Sequence, residues 1–334
     1  MTADQSPPPA KPYPTSRLTQ QQATCPPIVS LGDLVADLIV VIPDLPVAAG
    51  QHQLAREIRL EPGGGASFLI AGARLGYPMA AIGALGNDIW GQQVAELIRA
   101  EGVDLSRVRQ SGSTTCVVVL VSQSGDHVFL GRYGYGPTIE LEPSDVALLT
   151  NCGALYCAGY TLAETRLANL TIAALELARG HHRPVYFDPG PQIVDVPPAL
   201  RRQALSLTDT LLLAEVELPL LTSGPISGLR QLGPTTVVLK RGADGCAIYQ
   251  NQLQKPVVDL PGYPVNVVDT AAAGDSFNAA FMVAKGWGWS LADCARLANA
   301  VGAAKVKKLG GGRNVPTLAE VRAIIKEFKV GLEV

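Results

Sequence analysis

The run with the most chemical promise is Asn266-Val267-Val268-Asp269-Thr270-Ala271-Ala272-Ala273-Gly274-Asp275-Ser276-Phe277-Asn278, a small-residue loop leading into an apolar stretch that ends near Lys285-Gly286. Where a helix begins, backbone N–H groups point outward unpaired and aligned peptide dipoles place partial positive charge, so an anion such as a phosphate is held there. Ala272, Ala273 and Gly274 lack bulk and let the main chain approach that anion closely. Asp275 falls in the first helical turn, beside the anion. A carboxylate there can accept the proton of an attacking hydroxyl. It can equally do no more than complement the helix dipole, worth under about 1 kcal/mol, and on the residues alone both readings stand.

Such a loop needs a sheet to hold it. From Ile28 onward short apolar runs alternate with helical patterns, the signature of stacked βαβ units and a mostly parallel sheet. Ile28 to Leu31, Leu155 to Ala158, Val185 to Phe187 and Val237 to Leu239 read as buried strands. Trp90, Val94, Leu97 and Ile98 mark the apolar face of one helix. Val321, Ile324, Ile325 and Phe328 mark another, after a Thr317 to Glu320 capping box, and Ser290 with Asp293 starts a third. Residues at about 38–60 and 112–136 break this rhythm and read as exposed antiparallel strands that together form a lid. Val117 to Val121, a Ser124 to Asp126 turn and a return strand from His127 make the second a hairpin.

Composition narrows the partners. The 334 residues are 47% hydrophobic and 17% charged, enough for one large α/β domain or two smaller ones. A formal net charge of -2 offers no electrostatic footprint for nucleic acid or an anionic membrane, which leaves a small molecule as the expected partner. The six cysteines are scattered, without zinc-site spacing, and read as reduced packing residues. No apolar run reaches the roughly 18 residues that span a bilayer, and residues 1–26, rich in Pro, Gln, Ser and Thr, read as a disordered tail rather than a signal peptide. A cytoplasmic location is expected.

Asp269-Thr270-Ala271-Ala272-Ala273-Gly274-Asp275 resembles the C-terminal signature of the ribokinase-like (PfkB) carbohydrate kinases. Pro62-Gly63-Gly64-Gly65-Ala66-Ser67, followed by Ala73-Arg74-Leu75-Gly76, is similar to that family's glycine-rich N-terminal signature, and Gly83-Ala84-Leu85-Gly86-Asn87-Asp88-Ile89-Trp90-Gly91 follows at the expected distance. The likeness runs in order over about residues 27–330. It implies a three-layer α/β/α ribokinase-like fold with a mostly parallel central sheet and a small β-strand lid, and ATP-dependent phosphoryl transfer to a hydroxyl of a sugar or nucleoside.

The resemblance also assigns roles. Asp275 takes the base position, with the Ala272 to Asp275 amides as anion hole. Asp37, Gly63, Gly64, Gly65 and Ser67 fall where the family holds the acceptor. Lys240, Gly242, Gly245 and Asn299 match the nucleotide's surroundings. Glu217 closes a motif that organises Mg²⁺ through water, and Asp269, the Ala271 carbonyl, Gly310 and Asn314 align with a monovalent-cation site that takes K⁺ in many relatives. Three departures stand out: Ser67 and Ala214 where the family commonly has Asn, and Asp188-Pro189-Gly190-Pro191-Gln192 without the usual Asn and Arg. A Ser hydroxyl reaches less far than an Asn amide, so the pocket's donors differ from those of a ribose kinase. Arg132, Tyr133 and Tyr135, with nearby Phe68, are candidates to stack on a base or sugar face, or to pack a homodimer through the lid.

Two rivals remain open at this stage. A nucleotide-binding oxidoreductase would place Gly-x-Gly-x-x-Gly after the first strand, where Gly32-Asp33-Leu34 stands instead. A catalytically silent metabolite-binding sensor of the same fold is opposed by the intact Asp275 and its loop and kept open by Ala214, which departs from the metal motif.

Overall fold

Ile28–Ile42 form one strand, β1, of 15 residues, far longer than its expected apolar core, because its two halves serve two sheets. In the computed structural model residues 25–123, 126–250 and 255–334 are described. The expected tail, apart from Cys25 and Pro26, and Ser124 with Gly125 of the hairpin turn lie outside them.

Chain order continues β2 (Glu57–Gly64), α1 (Ala66–Arg74), β3 (Met79–Leu85), α2 (Ile89–Arg99), β4 (Asp104–Gln110), β5 (Thr115–Ser122), β6 (His127–Arg132), α3 (Pro143–Asn151), β7 (Ala154–Ala158), α4 (Tyr160–Ala163), α5 (Ala168–Gly180) and β8 (Val185–Asp188). Then come α6 (Pro198–Ser206), β9 (Thr210–Ala214), α7 (Leu218–Leu221), β10 (Thr236–Lys240), β11 (Cys246–Gln250), β12 (Val258–Leu260), α8 (Ala273–Gly286), α9 (Leu291–Val306) and α10 (Leu318–Glu327). The large sheet runs β12-β11-β10-β9-β8-β7-β1-β3-β4. Its strands from β10 to β4 are parallel, and β11 and β12 turn back antiparallel at one edge.

Burial on both faces explains why the strands read as unbroken apolar runs. Ile28 faces a core with Phe68, Phe281, Val301 and Ile324, from helices α1, α8, α9 and α10. Its neighbour Val29 faces the opposite core with Leu149, Leu175 and Leu205, from α3, α5 and α6. Successive strand residues point to opposite faces, so the molecule has three layers.

The outer half of β1 carries a second, small sheet. Leu34 to Val41 pair antiparallel with β2, Val35 to Ile42 pair with β5, and β6 closes the hairpin against β5. Contrary to the antiparallel expectation, β1 and β5 run parallel, since β5 is reached only after the β3-α2-β4 excursion. Ile39, Val41, Val119 and Val121 form this sheet's own apolar core.

Two helix starts follow their sequence signals, and a third, that of α2, is capped by Asp88. Thr317 and Glu320 form the capping box of α10, Ser290 Oγ accepts from the Asp293 N–H, and Asp88 accepts from the Gly91 N–H. Val94 and Ile98 are buried as expected, whereas Trp90 is 39% exposed.

Candidate active site

The ends of the parallel strands, the small sheet and the start of α8 enclose one cavity of about 930 Å³. It is built as the loop suggested: α8 begins at Ala273, so Asp275 sits in its first turn. Ala272 caps the helix with φ 59° and ψ 14°, the left-handed region that costs a residue bearing a Cβ roughly 1–2 kcal/mol. That turn lets Ala272, Gly274 and Asp275 face the cavity. Ala273 does not join them, because its N–H closes the turn on the Thr270 carbonyl at 3.1 Å. The expected four-amide anion hole therefore has one amide committed inside the loop.

Opposite the loop, Lys240 Nζ at the end of β10 lies 2.7 Å from Asp188 Oδ2 and 3.3 Å from Asn278 Oδ1. Asn278 Nδ2 donates to the same Asp188 oxygen at 2.5 Å. A Cβ placed on Gly274 would lie 3.6 Å from Lys240 Nζ, so the ammonium stands over the loop that starts α8. Asp188 was visible in the sequence only as part of a departure, and Asn278 was not singled out. The signal for Asn278 was its i, i+3 spacing from Asp275, which puts both on one helical face.

Carboxylates dominate the site. Asp275 is pushed up to about 6, first by burial and then by Asp188, with Lys240 pulling the other way. Asp37 rises to about 7, from burial first and then from Glu61 and Asp275. Burial and Asp188 also raise Glu217, whose Oε2 accepts from the Ala214 N–H at 2.9 Å. The absent motif Asn thus leaves this turn closed by Glu217 itself.

The glycine turn has a steric reason. A Cβ on Gly63 would overlap the Asp37 carboxylate, and Gly64 takes φ 57°. Gly64, Gly65 and Ser67 line the cavity with Asp37, while Gly63 lies against the Asp37 carboxylate. Ser67 Oγ accepts from the Gly312 N–H at 2.9 Å, so this hydroxyl ties the turn to the loop at 310–312 in addition to bordering the cavity. Phe68 is corrected outright. It is fully buried and stacks on Tyr156 with ring centroids 3.9 Å apart, so it faces no ligand. Arg132 and Tyr133 line the cavity, whereas Tyr135 lies under the Arg132 guanidinium and is 67% exposed.

The expected nucleotide border divides. Lys240 and Gly242 line the cavity; Gly245 and Asn299 do not. Gly245, at φ 82°, makes the turn into β11, where a Cβ would meet the Leu260 carbonyl, and Asn299 Nδ2 donates to the Pro261 carbonyl at 3.1 Å. Both hold the 260–262 segment in place.

Among the described residues no three His, Cys, Asp or Glu groups converge as a cage. Glu217 and Asp188 nonetheless supply carboxylate oxygens to the cavity, the donors Mg²⁺ takes when phosphate and water complete its shell. Asp269 is different. Its oxygens accept from the Ala271 N–H at 2.8 Å and the Gly310 N–H at 2.5 Å, His127 Nε2 lies 3.5 Å away, and Asn314 Nδ2 is turned to the Gly311 carbonyl. The fully buried Lys305 acts on Asp269 from the end of α9. The Asp269 oxygens and the Asn314 amide are thus already committed within the protein.

A three-layer α/β/α sheet with a small sheet over one end is the ribokinase-like fold. The chain matches the model of the pfkB family of carbohydrate kinases over residues 26–318, and it belongs to that family. It is 26% identical to a nucleoside kinase of Methanothermobacter thermautotrophicus (90% of this chain, 95% of the relative). It is 29% identical to a ribokinase of Arabidopsis thaliana (93% and 83%). The Arabidopsis thaliana ribokinase structure with ribose and ATP superposes with a TM-score of 0.79 at 28% identity, covering 91% of this chain and 99% of that one. The enzyme class is accordingly that of a carbohydrate or nucleoside kinase. Among the described residues no helix is long and apolar enough to cross a membrane.

Proposed function

We propose that this chain transfers the γ-phosphoryl group of ATP to a hydroxyl of a sugar or nucleoside, with Asp275 as general base. The observation that carries the reading is the placement of Asp275: a partly buried carboxylate at the start of α8, facing a cavity that also holds Lys240 and Asp37. A base works best when its pKa lies near the working pH, and about 6 suits that task.

Asp37 and the Gly63 to Gly65 turn hold the acceptor so that one hydroxyl reaches Asp275. Asp275 takes that hydroxyl's proton as the oxygen attacks phosphorus. The Gly274 amide and the Lys240 ammonium stabilise charge on the transferred group, which is most of what phosphoryl transfer needs. Glu217 and Asp188 are the residues that would hold Mg²⁺ bound with ATP, and the ion would supply neutralisation of phosphate charge. Gly242 borders the nucleotide, and Asn299 and Gly245 act by fixing the 260–262 segment beside it. The sheet of β2, β1, β5 and β6 is the lid that keeps water from the reaction.

ADP release by purified protein with Mg²⁺, measured against a panel of sugars and nucleosides, tests this. One acceptor raising ADP release names the substrate class. An acceptor that binds tightly while none is phosphorylated makes the chain a sensor of the same fold.

A further inference from the structure

Lys305 is fully buried, though lysine is almost never so unless paired. Its Nζ donates to the Lys308 carbonyl at 2.9 Å, and among the described residues no carboxylate lies within 4.0 Å of it. The carboxylate acting on it most strongly is Asp269, itself 4% exposed. The backbone binds the two together, because the Val268 and Asp269 N–H groups both donate to the carbonyl of Val306, the residue after Lys305. Lys305 also stands in the last turn of α9, where the helix dipole favours a cation.

A buried anion needs a compensating charge. Asp269 opens the segment that becomes the anion-binding loop, its oxygens fixing the Ala271 and Gly310 amides on either side. Any cation here therefore steadies Ala272 to Asp275 by steadying Asp269. Because an ammonium and K⁺ are of similar size, a lysine tip can take over that duty.

We infer that the Lys305 ammonium is a built-in substitute for a monovalent cation: it balances Asp269, positions the Ala272 to Asp275 loop, and makes phosphoryl transfer independent of added K⁺. This rests on the kinase reading above. Lys305 is a positioning residue and touches no reacting atom.

The test compares wild type and Lys305→Ala in KCl, NH₄Cl, LiCl and tetramethylammonium chloride at a fixed ionic strength of about 0.1 M, so that screening is constant. Rates of ADP formation and the affinity for MgADP by calorimetry are both read. Wild type should give the same values in every salt. Lys305→Ala should lose about tenfold in tetramethylammonium or Li⁺, the size of a typical coupling between two sites, and should recover in K⁺ or NH₄⁺, which a merely structural role would not produce. About tenfold activation of wild type by K⁺ overturns the inference, as does a Lys305→Ala protein that K⁺ and NH₄⁺ fail to rescue. Should the variant not fold, the wild-type salt series decides alone. Should no acceptor be phosphorylated in any salt, the kinase reading fails, and the MgADP affinities still decide the cation question.

Discussion

Lys240 and Asp188 form an ion pair at 2.7 Å inside the cavity, with both side chains close to 90% covered. Asn278 braces the pair by donating to the same carboxylate. Removing one partner of such a pair strands the other's charge in a poorly solvated place, which costs several kcal/mol. Asp188→Ala should therefore lower the unfolding free energy in urea by about 3 kcal/mol and weaken ATP binding as Lys240 loses its fixed position. A loss no larger than that of an exposed-residue control such as Glu176→Ala would mean the pair does not hold Lys240.

Asp37 gives a pH signature. Its folded pKa of about 7 stands above the ordinary 3.8, so the folded state binds the proton more tightly. Its contribution to stability is fully present below 3.8 and is lost as the pH rises through about 7. The difference in melting temperature between Asp37→Asn and wild type should therefore grow in favour of the mutant across that window, and acceptor affinity should fall. A difference that stays level with pH would contradict the proton-binding Asp37.

Ala272 holds a left-handed conformation that glycine adopts without strain. Ala272→Gly relieves that strain, while the greater freedom of glycine in the unfolded chain gives part of it back. The expected net gain is about 0.5 kcal/mol in urea unfolding, with the rate of ADP formation little changed. A destabilised mutant would mean that the Ala272 methyl, which partly packs against the core, matters more than its backbone.

The lid leaves Ile58, Phe129 and Leu130 exposed, at 64%, 63% and 58%. Among the described residues β6 pairs only with β5, so it is an edge strand with apolar side chains, an arrangement that invites a second copy. We expect a homodimer joined there. Sedimentation should show a dimer that Ile58→Lys with Leu130→Lys converts to monomer, and a monomeric wild type would remove the expectation.

What sequence made legible was local. The strand cores, the α10 capping box and the placement of Asp275 in a first turn all depend on neighbours within a few residues. The Ser67 bond to Gly312 spans 245 residues and the Lys240 to Asp188 pair 52, and no local pattern announces either. Phe68 resembles the lid aromatics as a stacking candidate, yet the first turn of α1 points it into the core against Tyr156. The full length of β1 is hidden in the sequence because Gly32-Asp33 and then Asp37 interrupt its apolar residues, so its two halves read as separate segments. Nothing in the sequence marks Lys305, because a lysine near a helix C-terminus is ordinarily a solvated charge.

Single-turnover kinetics of Asp275→Asn, alongside its binding of ATP and acceptor, test the general-base role most directly. The side chains are alike in size, so both ligands should bind nearly as in wild type while turnover falls by about 10² or more, the scale of a lost general base. The wild-type rate should also decline as the pH drops through about 6, where Asp275 takes up its proton. Equal turnover in the mutant would contradict the role assigned to Asp275.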